Sequence, residues 1–151
     1  MKKQKEIISP QEYIKFLSNL KLQNIYPNSI LLVFNEESIQ QSLNISVDED
    51  SNFIQDGKNL KINYHVILNA INEDSKNIAM NVDVSFVVKY VLEQEQNITN
   101  ELFKVFIDNS VNMLIWPYFR ELVQSSTGRF GLPPLILPLK VNLPKSNAQK
   151  K

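Results

Sequence analysis

The residues that could do chemistry in this chain are few, and their spacing favours no catalytic site. His65 is the only histidine and falls on the polar side of an alternating segment, so we expect a solvated surface residue. The acidic groups Glu36-Glu37 and Asp48–Asp50 are interpreted as surface carboxylates, because nothing in the sequence fixes the spacing that a hydrolytic dyad needs. We therefore predict no catalytic residue, no metal ligand and no cofactor-binding residue.

The composition excludes several further kinds of site. The chain has no cysteine, which excludes disulfides, thiolate nucleophiles and cysteine-based metal centres. It has three glycines, and it contains no glycine-rich phosphate loop, nucleophile elbow or paired-histidine zinc motif. The sequence predicts a protein that is not an enzyme and needs no cofactor.

Length and charge set the broad class. The 151 residues include sixteen basic and sixteen acidic ones, so no overall field attracts nucleic acid or an anionic membrane. The basic start is not followed by the apolar stretch of a signal peptide, and no segment approaches the ~20 apolar residues of a membrane span. We expect a soluble, cytoplasmic protein that has neither nucleic acid nor a membrane as its partner.

The first half of the chain predicts one helix and four strands. Ser9-Pro10-Gln11-Glu12 has the form of a helix start, and a short helix is expected from about Pro10 to Leu20. A strand follows from Leu22 to Asn35, at an edge or with a bulge because Pro27 cannot donate to a central ladder. Leu43 to Val47 predicts a second strand, and the polar stretch from Glu49 to Asn59 a loop or turn.

The two clearest strands lie in the middle of the chain. Apolar and polar residues alternate over 60–71 and again, without a break on the apolar side, over 78–92. Such strands give an antiparallel sheet with one apolar face, and something must cover that face. The amphipathic helix that begins near Thr99 is the expected cover.

That helix contains Pro117, which favours a kink or break. Beyond Pro117 the apolar side of the helix turns by about half a circle at ~100° per residue. We expect the first half to pack on the chain's own sheet and the second half to face another subunit. The predicted interface residues are Ile115, Trp116, Phe119, Leu122 and Val123.

Two charged residues, Arg120 and Glu121, lie inside this apolar helix. They could form an ion pair at a subunit interface, or they could cap a neighbouring turn of the chain. Beyond the helix, the prolines of 132–139 exclude a helix and predict an extended apolar arm that must lie against something.

The region around Pro117 resembles the signature of SecB, the bacterial protein-export chaperone. The two most specific pieces are the segment 116–121, Trp-Pro-Tyr-Phe-Arg-Glu, and the segment 131–137, Gly-Leu-Pro-Pro-Leu-Ile-Leu. Residues 23–26, followed by the apolar stretch 30–35, are similar to the family's first strand, and the strands 60–71 and 78–92 to its central hairpin. The resemblance covers about Leu22 to Leu139.

This resemblance implies an α+β fold: a four-stranded antiparallel sheet covered by a long, proline-kinked helix. The predicted N-terminal helix is additional to the family's fold. The resemblance implies three parts, an N-terminal helical extension (1–21), a SecB-like domain (22–140) and a basic tail (141–151) that we expect to be disordered. It also implies a homodimer or homotetramer that holds unfolded precursor polypeptides without ATP, for protein transport and export. The candidate peptide-binding residues are Tyr26, Ile30, Leu32, Phe34, Phe130, Leu132 and Leu135.

The chain departs from the family pattern in three ways. The family's second amphipathic helix after the proline-rich segment is replaced by a short lysine-bearing tail, its acidic tail that engages the motor SecA is unmatched, and the N-terminal helix is extra. SecA is therefore a doubtful partner. A SecB-like chaperone dedicated to one partner, such as an antitoxin, is one alternative; a carrier of small apolar ligands and a structural oligomerisation module are others.

Overall fold

The computed structural model describes residues 7–39 and 42–138. Within these residues one short helix precedes four strands, and a long helical stretch follows them. The elements are α1 (Pro10–Ser18), β1 (Leu20–Phe34), β2 (Leu43–Asp56), β3 (Asn59–Asn72), β4 (Ile78–Leu92), α2 (Asn100–Phe106), a π-turn (Ile107–Val111) and α3 (Asn112–Arg129). The strands form one antiparallel sheet in the order β1-β4-β3-β2, which confirms the predicted fold class. The predicted basic tail lies outside the described residues.

Strand β1 is an edge strand and is irregular at Pro27, as predicted, and it has a second irregularity near its start. It pairs with β4 alone, and its register shifts between Leu22 and Asn24 and again between Pro27 and Ser29. An edge strand has one side without ladder partners, so the missing N–H of a proline costs little there.

Strand β2 is longer than the sequence predicted, and the predicted loop from Glu49 to Asn59 is wrong. The strand pairs with β3 as far as Asp56, opposite Asn59, and the turn is confined to Gly57 and Lys58. Gly57 has a positive φ of 58°, as tight hairpin turns require. Because β2 is the other edge strand, its polar side chains stay near water, and polarity alone does not distinguish such a strand from a loop.

The core lies between the sheet and the helices. Alternate residues of β3 and β4 face the helices and are buried in cross-strand pairs such as Ile62–Val88, Val66–Val84 and Leu68–Val82. Phe53 of β2 joins them by packing on Phe103 of α2, with ring centroids 4.4 Å apart. The opposite face of the sheet carries the polar residues of the alternation, among them His65.

The π-turn keeps both halves of the helical stretch on this one sheet. The buried apolar positions are Leu102, Phe103 and Phe106 before it, Val111 at its end, and Ile115, Trp116, Phe119 and Val123 after it. The step from Phe106 to Val111 is five residues, whereas the later steps are four. A five-residue turn rotates the helix by about one residue, ~100°. The apolar side therefore changes phase within the chain, and no second subunit is needed to cover the second half.

Two asparagines support the π-turn. The N–H of Asn112 bonds to the carbonyl of Ile107, and its side-chain Nδ2 donates to the carbonyl of Asp108 at 2.9 Å. Asn109 Nδ2 donates to the carbonyl of Val105 at 2.8 Å. Helix α3 continues through Pro117, and because Pro117 and Met113 are both exposed, water can reach the carbonyl that the proline leaves free.

Helix α1 begins with the predicted capping box, in which Ser9 and Glu12 bond reciprocally. It packs against the start of the long helical stretch. Phe16 is buried edge-on to Phe106, with ring centroids 5.1 Å apart, and Tyr13 hydrogen-bonds Ser110 in the π-turn. Helix α1 is therefore part of the core. Among the described residues, no helix combines the length and apolarity needed to cross a membrane.

Two buried tyrosines predict a loss of stability at high pH. Burial raises the pKa of Tyr90 to about 12, with Tyr13 as a lesser cause, and burial and then Glu49 raise the pKa of Tyr64. A tyrosine in the unfolded chain ionises near pH ~10. The unfolded state therefore binds fewer protons than the folded state above pH ~10, and the free energy of unfolding falls as the pH rises through about 12.

Urea denaturation followed at several pH values tests this. Tyr90→Phe should make the fall in unfolding free energy above pH ~10 shallower than in the wild type. Between about pH 7 and 9 the two curves should run parallel, which serves as the internal control. Equal slopes at high pH would show that Tyr90 does not ionise differently in the two states.

Candidate peptide-binding surface

Six of the seven predicted contact residues lie on the helix side of the sheet or just after α3. On β1, Ile30, Leu32 and Phe34 are opposite Val84, Val82 and Met80 of β4, which face the helices. Leu32 and Phe34 are half-buried against the core, whereas Ile30 is exposed. The strand therefore places a graded apolar row along the free edge of the sheet.

Phe34 and Phe130 join this row to the end of α3. Their rings stack with centroids 3.9 Å apart and an interplanar angle of 27°. Phe130 remains 51% exposed in spite of this contact. We name Ile30, Leu32, Phe34 and Phe130 the β1 surface.

Tyr26 does not belong to the β1 surface. It pairs with Val87 on the opposite face of the sheet, and Lys89 Nζ lies 5.6 Å from the centre of its ring. The bulge after Pro27 separates the two registers of β1. Tyr26 and the β1 surface therefore cannot contact the same short peptide segment on one face of the sheet.

The residues after α3 turn back along the helix. Gly131 has a positive φ of 75°, and its N–H and that of Leu132 bond to the carbonyls of Gly128 and Thr127, which closes the helix in a Schellman motif. We name residues 132–138 the arm. The arm is extended, with Leu132 and Leu135 half-buried and Leu137 buried.

Three side chains of α3 hold the arm. Thr127 Oγ1 accepts from the N–H of Leu135 at 2.9 Å, Arg120 Nε donates to the carbonyl of Leu137 at 2.8 Å, and Trp116 Nε1 donates to the carbonyl of Pro138 at 3.0 Å. The sequence allowed two roles for Arg120, an ion pair at a subunit interface or a cap on a neighbouring turn of the chain. The bond to Leu137 corresponds to the second role. The role of Thr127 was missed, although the spacings of four residues from Trp116 to Arg120 and seven from Arg120 to Thr127 put the three side chains on one helix face.

The structure places most of the predicted interface residues inside the subunit. Ile115, Trp116, Phe119 and Val123 are buried in the core of the single chain, and Leu122 is half-buried. The phase change that suggested an interface is produced by the π-turn instead. That these five residues form an interface between subunits stays a prediction. The change of apolar side along the helix no longer supports it.

One close pair of titratable residues lies outside this region. His65 lies on the outer sheet face and bonds Asp83, both side chains being about one-third exposed. Among residues 7–39 and 42–138, no three His, Cys, Asp or Glu side chains converge in a way that could hold a metal ion.

Comparison with solved structures identifies the fold. The chain aligns with the SecB-like chaperone Rv1957 of Mycobacterium tuberculosis, solved in complex with a ChAD peptide from the antitoxin Rv1956 HigA1, with a TM-score of 0.72. The two sequences are 18% identical, and the alignment covers 85% of this chain and 96% of that one. The chain therefore has a SecB-like fold.

A protein of unknown function from Streptococcus agalactiae aligns with a TM-score of 0.46 and 14% identity, over 79% of this chain and 96% of that one. No family model matches the sequence, and no curated protein matches it.

A pair of neighbouring aromatic residues tests the core assignment of α3. Phe119 is fully buried, whereas Tyr118 is 49% exposed. Phe119→Ala should lower the free energy of unfolding by about 3–5 kcal/mol, because it leaves a cavity between helix and sheet. Tyr118→Ala should change it by less than about 1 kcal/mol. Equal small effects in urea denaturation would contradict the placement of Phe119.

Proposed function

We propose that this protein is a SecB-like molecular chaperone that binds unfolded or non-native polypeptides without ATP. The observation that carries the proposal is the SecB-like fold, in which the β1 surface leaves apolar side chains half open to solvent. It acts on other proteins by binding, and it is not an enzyme. We propose the cytoplasm as its location.

The physical basis is the exposure of the β1 surface. An unfolded chain presents apolar side chains and unpaired backbone groups, and a holding chaperone needs exposed apolar surface beside a strand edge. Ile30 and Phe130 supply exposed apolar area, and β1 supplies the free edge. Binding the unfolded state in preference to the native one delays folding by mass action.

We propose that the chain assembles into a homodimer or homotetramer. The exposed apolar residues Leu31 and Val33 continue along the same edge strand, on the other face of the sheet. Several subunits that each hold a client weakly would give avidity without sequence specificity.

Two versions of the function differ in their clients. A general chaperone for protein export would bind many precursors and deliver them, with SecA as the doubtful next partner. A dedicated chaperone would bind one protein, such as an antitoxin, and the antitoxin peptide on the M. tuberculosis protein favours this version. A carrier of small apolar ligands is less well supported, because side chains fill the space between sheet and helices.

Two half-exposed aromatic residues provide a matched test of the binding surface. Phe130 on the β1 surface is 51% exposed, and Tyr118 on α3 is 49% exposed. Phe130→Ser should weaken binding to reduced, carboxymethylated α-lactalbumin about tenfold, as expected when a partly buried aromatic contact is lost. Tyr118→Ser should leave the affinity unchanged.

The measurement is fluorescence anisotropy of the labelled probe, with size-exclusion chromatography to detect the complex. If the wild type binds no unfolded probe and does not slow the aggregation of a reduced protein, the proposed function is wrong. Equal affinities of the two variants would leave a chaperone whose contact surface lies elsewhere.

A further inference from the structure

The bonds that hold the arm reach its backbone and not its side chains. Thr127, Arg120 and Trp116 bond, in that order, to one N–H and two carbonyls of residues 135–138. Because every peptide has these groups, such contacts do not depend on which residues the held segment contains. The three side chains lie on one face of α3 and form a short ladder for an extended chain.

Only one side chain of the arm is deeply anchored in the core. Leu137 is 2% exposed, whereas its neighbour Ile136 is 66% exposed. The surface below the arm therefore selects an extended backbone with one apolar residue between two polar contacts. This is the chemistry by which a site can recognise unfolded polypeptides in general.

We propose that this face of α3 is a binding site for extended apolar polypeptide, and that the arm occupies it in the free protein as a built-in competitor. The inference rests on the proposed chaperone function and names its site. A client segment displaces residues 135–138 and takes over the bonds to Thr127, Arg120 and Trp116. In this arrangement Leu135, which the sequence predicted as a peptide contact, is part of the competing arm. The β1 surface lies beside the site.

The composition of the arm favours its release from α3. Gly131, with its positive φ, is a pivot at the end of α3. Pro133, Pro134 and Pro138 have no N–H, so a released arm exposes few donors. While the arm is docked, the apparent affinity for a client is reduced by the fraction of molecules whose site is open. Weakening the arm should therefore strengthen client binding.

Adjacent arm residues give the first test. Leu137→Ser removes the buried anchor and should tighten binding of reduced, carboxymethylated α-lactalbumin about threefold to tenfold. Ile136→Ser makes the same chemical change at an exposed position and should leave the affinity unchanged. The full-length protein is used, and the dissociation constant is measured by anisotropy.

A second pair protects the test against a folding defect at Leu137. Leu135→Pro removes the N–H that donates to Thr127 and leaves the Thr127 hydroxyl in place for a client, so it should also tighten binding about threefold. Ile136→Pro removes the next N–H along the arm, which has no hydrogen-bond partner among the described residues, and should have no effect. In the wild type, saturation with the probe should release the Leu135 amide to hydrogen exchange.

The outcomes separate this inference from the proposed function. Tighter binding by both arm variants, with faster exchange at Leu135 on client binding, supports the competitor. If the wild type binds the probe while Leu135 stays protected, or if both arm variants bind no better than the wild type, the proposed role of the arm is wrong. The proposed chaperone function is then unaffected. If neither the wild type nor the arm variants bind, both proposals fail.

Discussion

The apolar face of the β3–β4 hairpin is the constraint on which the rest of the molecule depends. Each strand is fourteen or fifteen residues long, and one helical stretch from Asn100 to Arg129 has to cover both. A regular α-helix with this sequence would turn its apolar side away after two turns. The five-residue π-turn corrects the phase, and α1 then buttresses it through Tyr13 and Phe16.

The sequence predicted the features that are encoded locally. The capping box at Ser9, the edge position of β1 from Pro27, and the alternation of β3 and β4 all depend on neighbouring residues. The end of β2 and the π-turn were not predictable in this way. A polar edge strand has the composition of a loop, and it is the pairing with β3 that makes it a strand. The π-turn is set by what the helix packs on.

The candidate site also has features that local sequence predicts and features that it does not. The apolar row of β1 follows from its alternation, so Ile30, Leu32 and Phe34 could be named from the sequence. The contact of Phe34 with Phe130 joins residues almost a hundred positions apart, and it required the fold. Tyr26 lies on the other face of the sheet because the bulge after Pro27 changes which face each residue points to, and a bulge leaves no local pattern that fixes its position.

The position of Trp116 makes its fluorescence a reporter of the arm. It is the single tryptophan of the chain, it is buried, and its indole nitrogen bonds to the carbonyl of Pro138 at the end of the arm. Indole emission responds to hydration and to hydrogen bonding. The unlabelled molecule thus carries its own optical reporter at the point where the returning chain meets the helix, and rapid-mixing spectroscopy can follow that contact in real time.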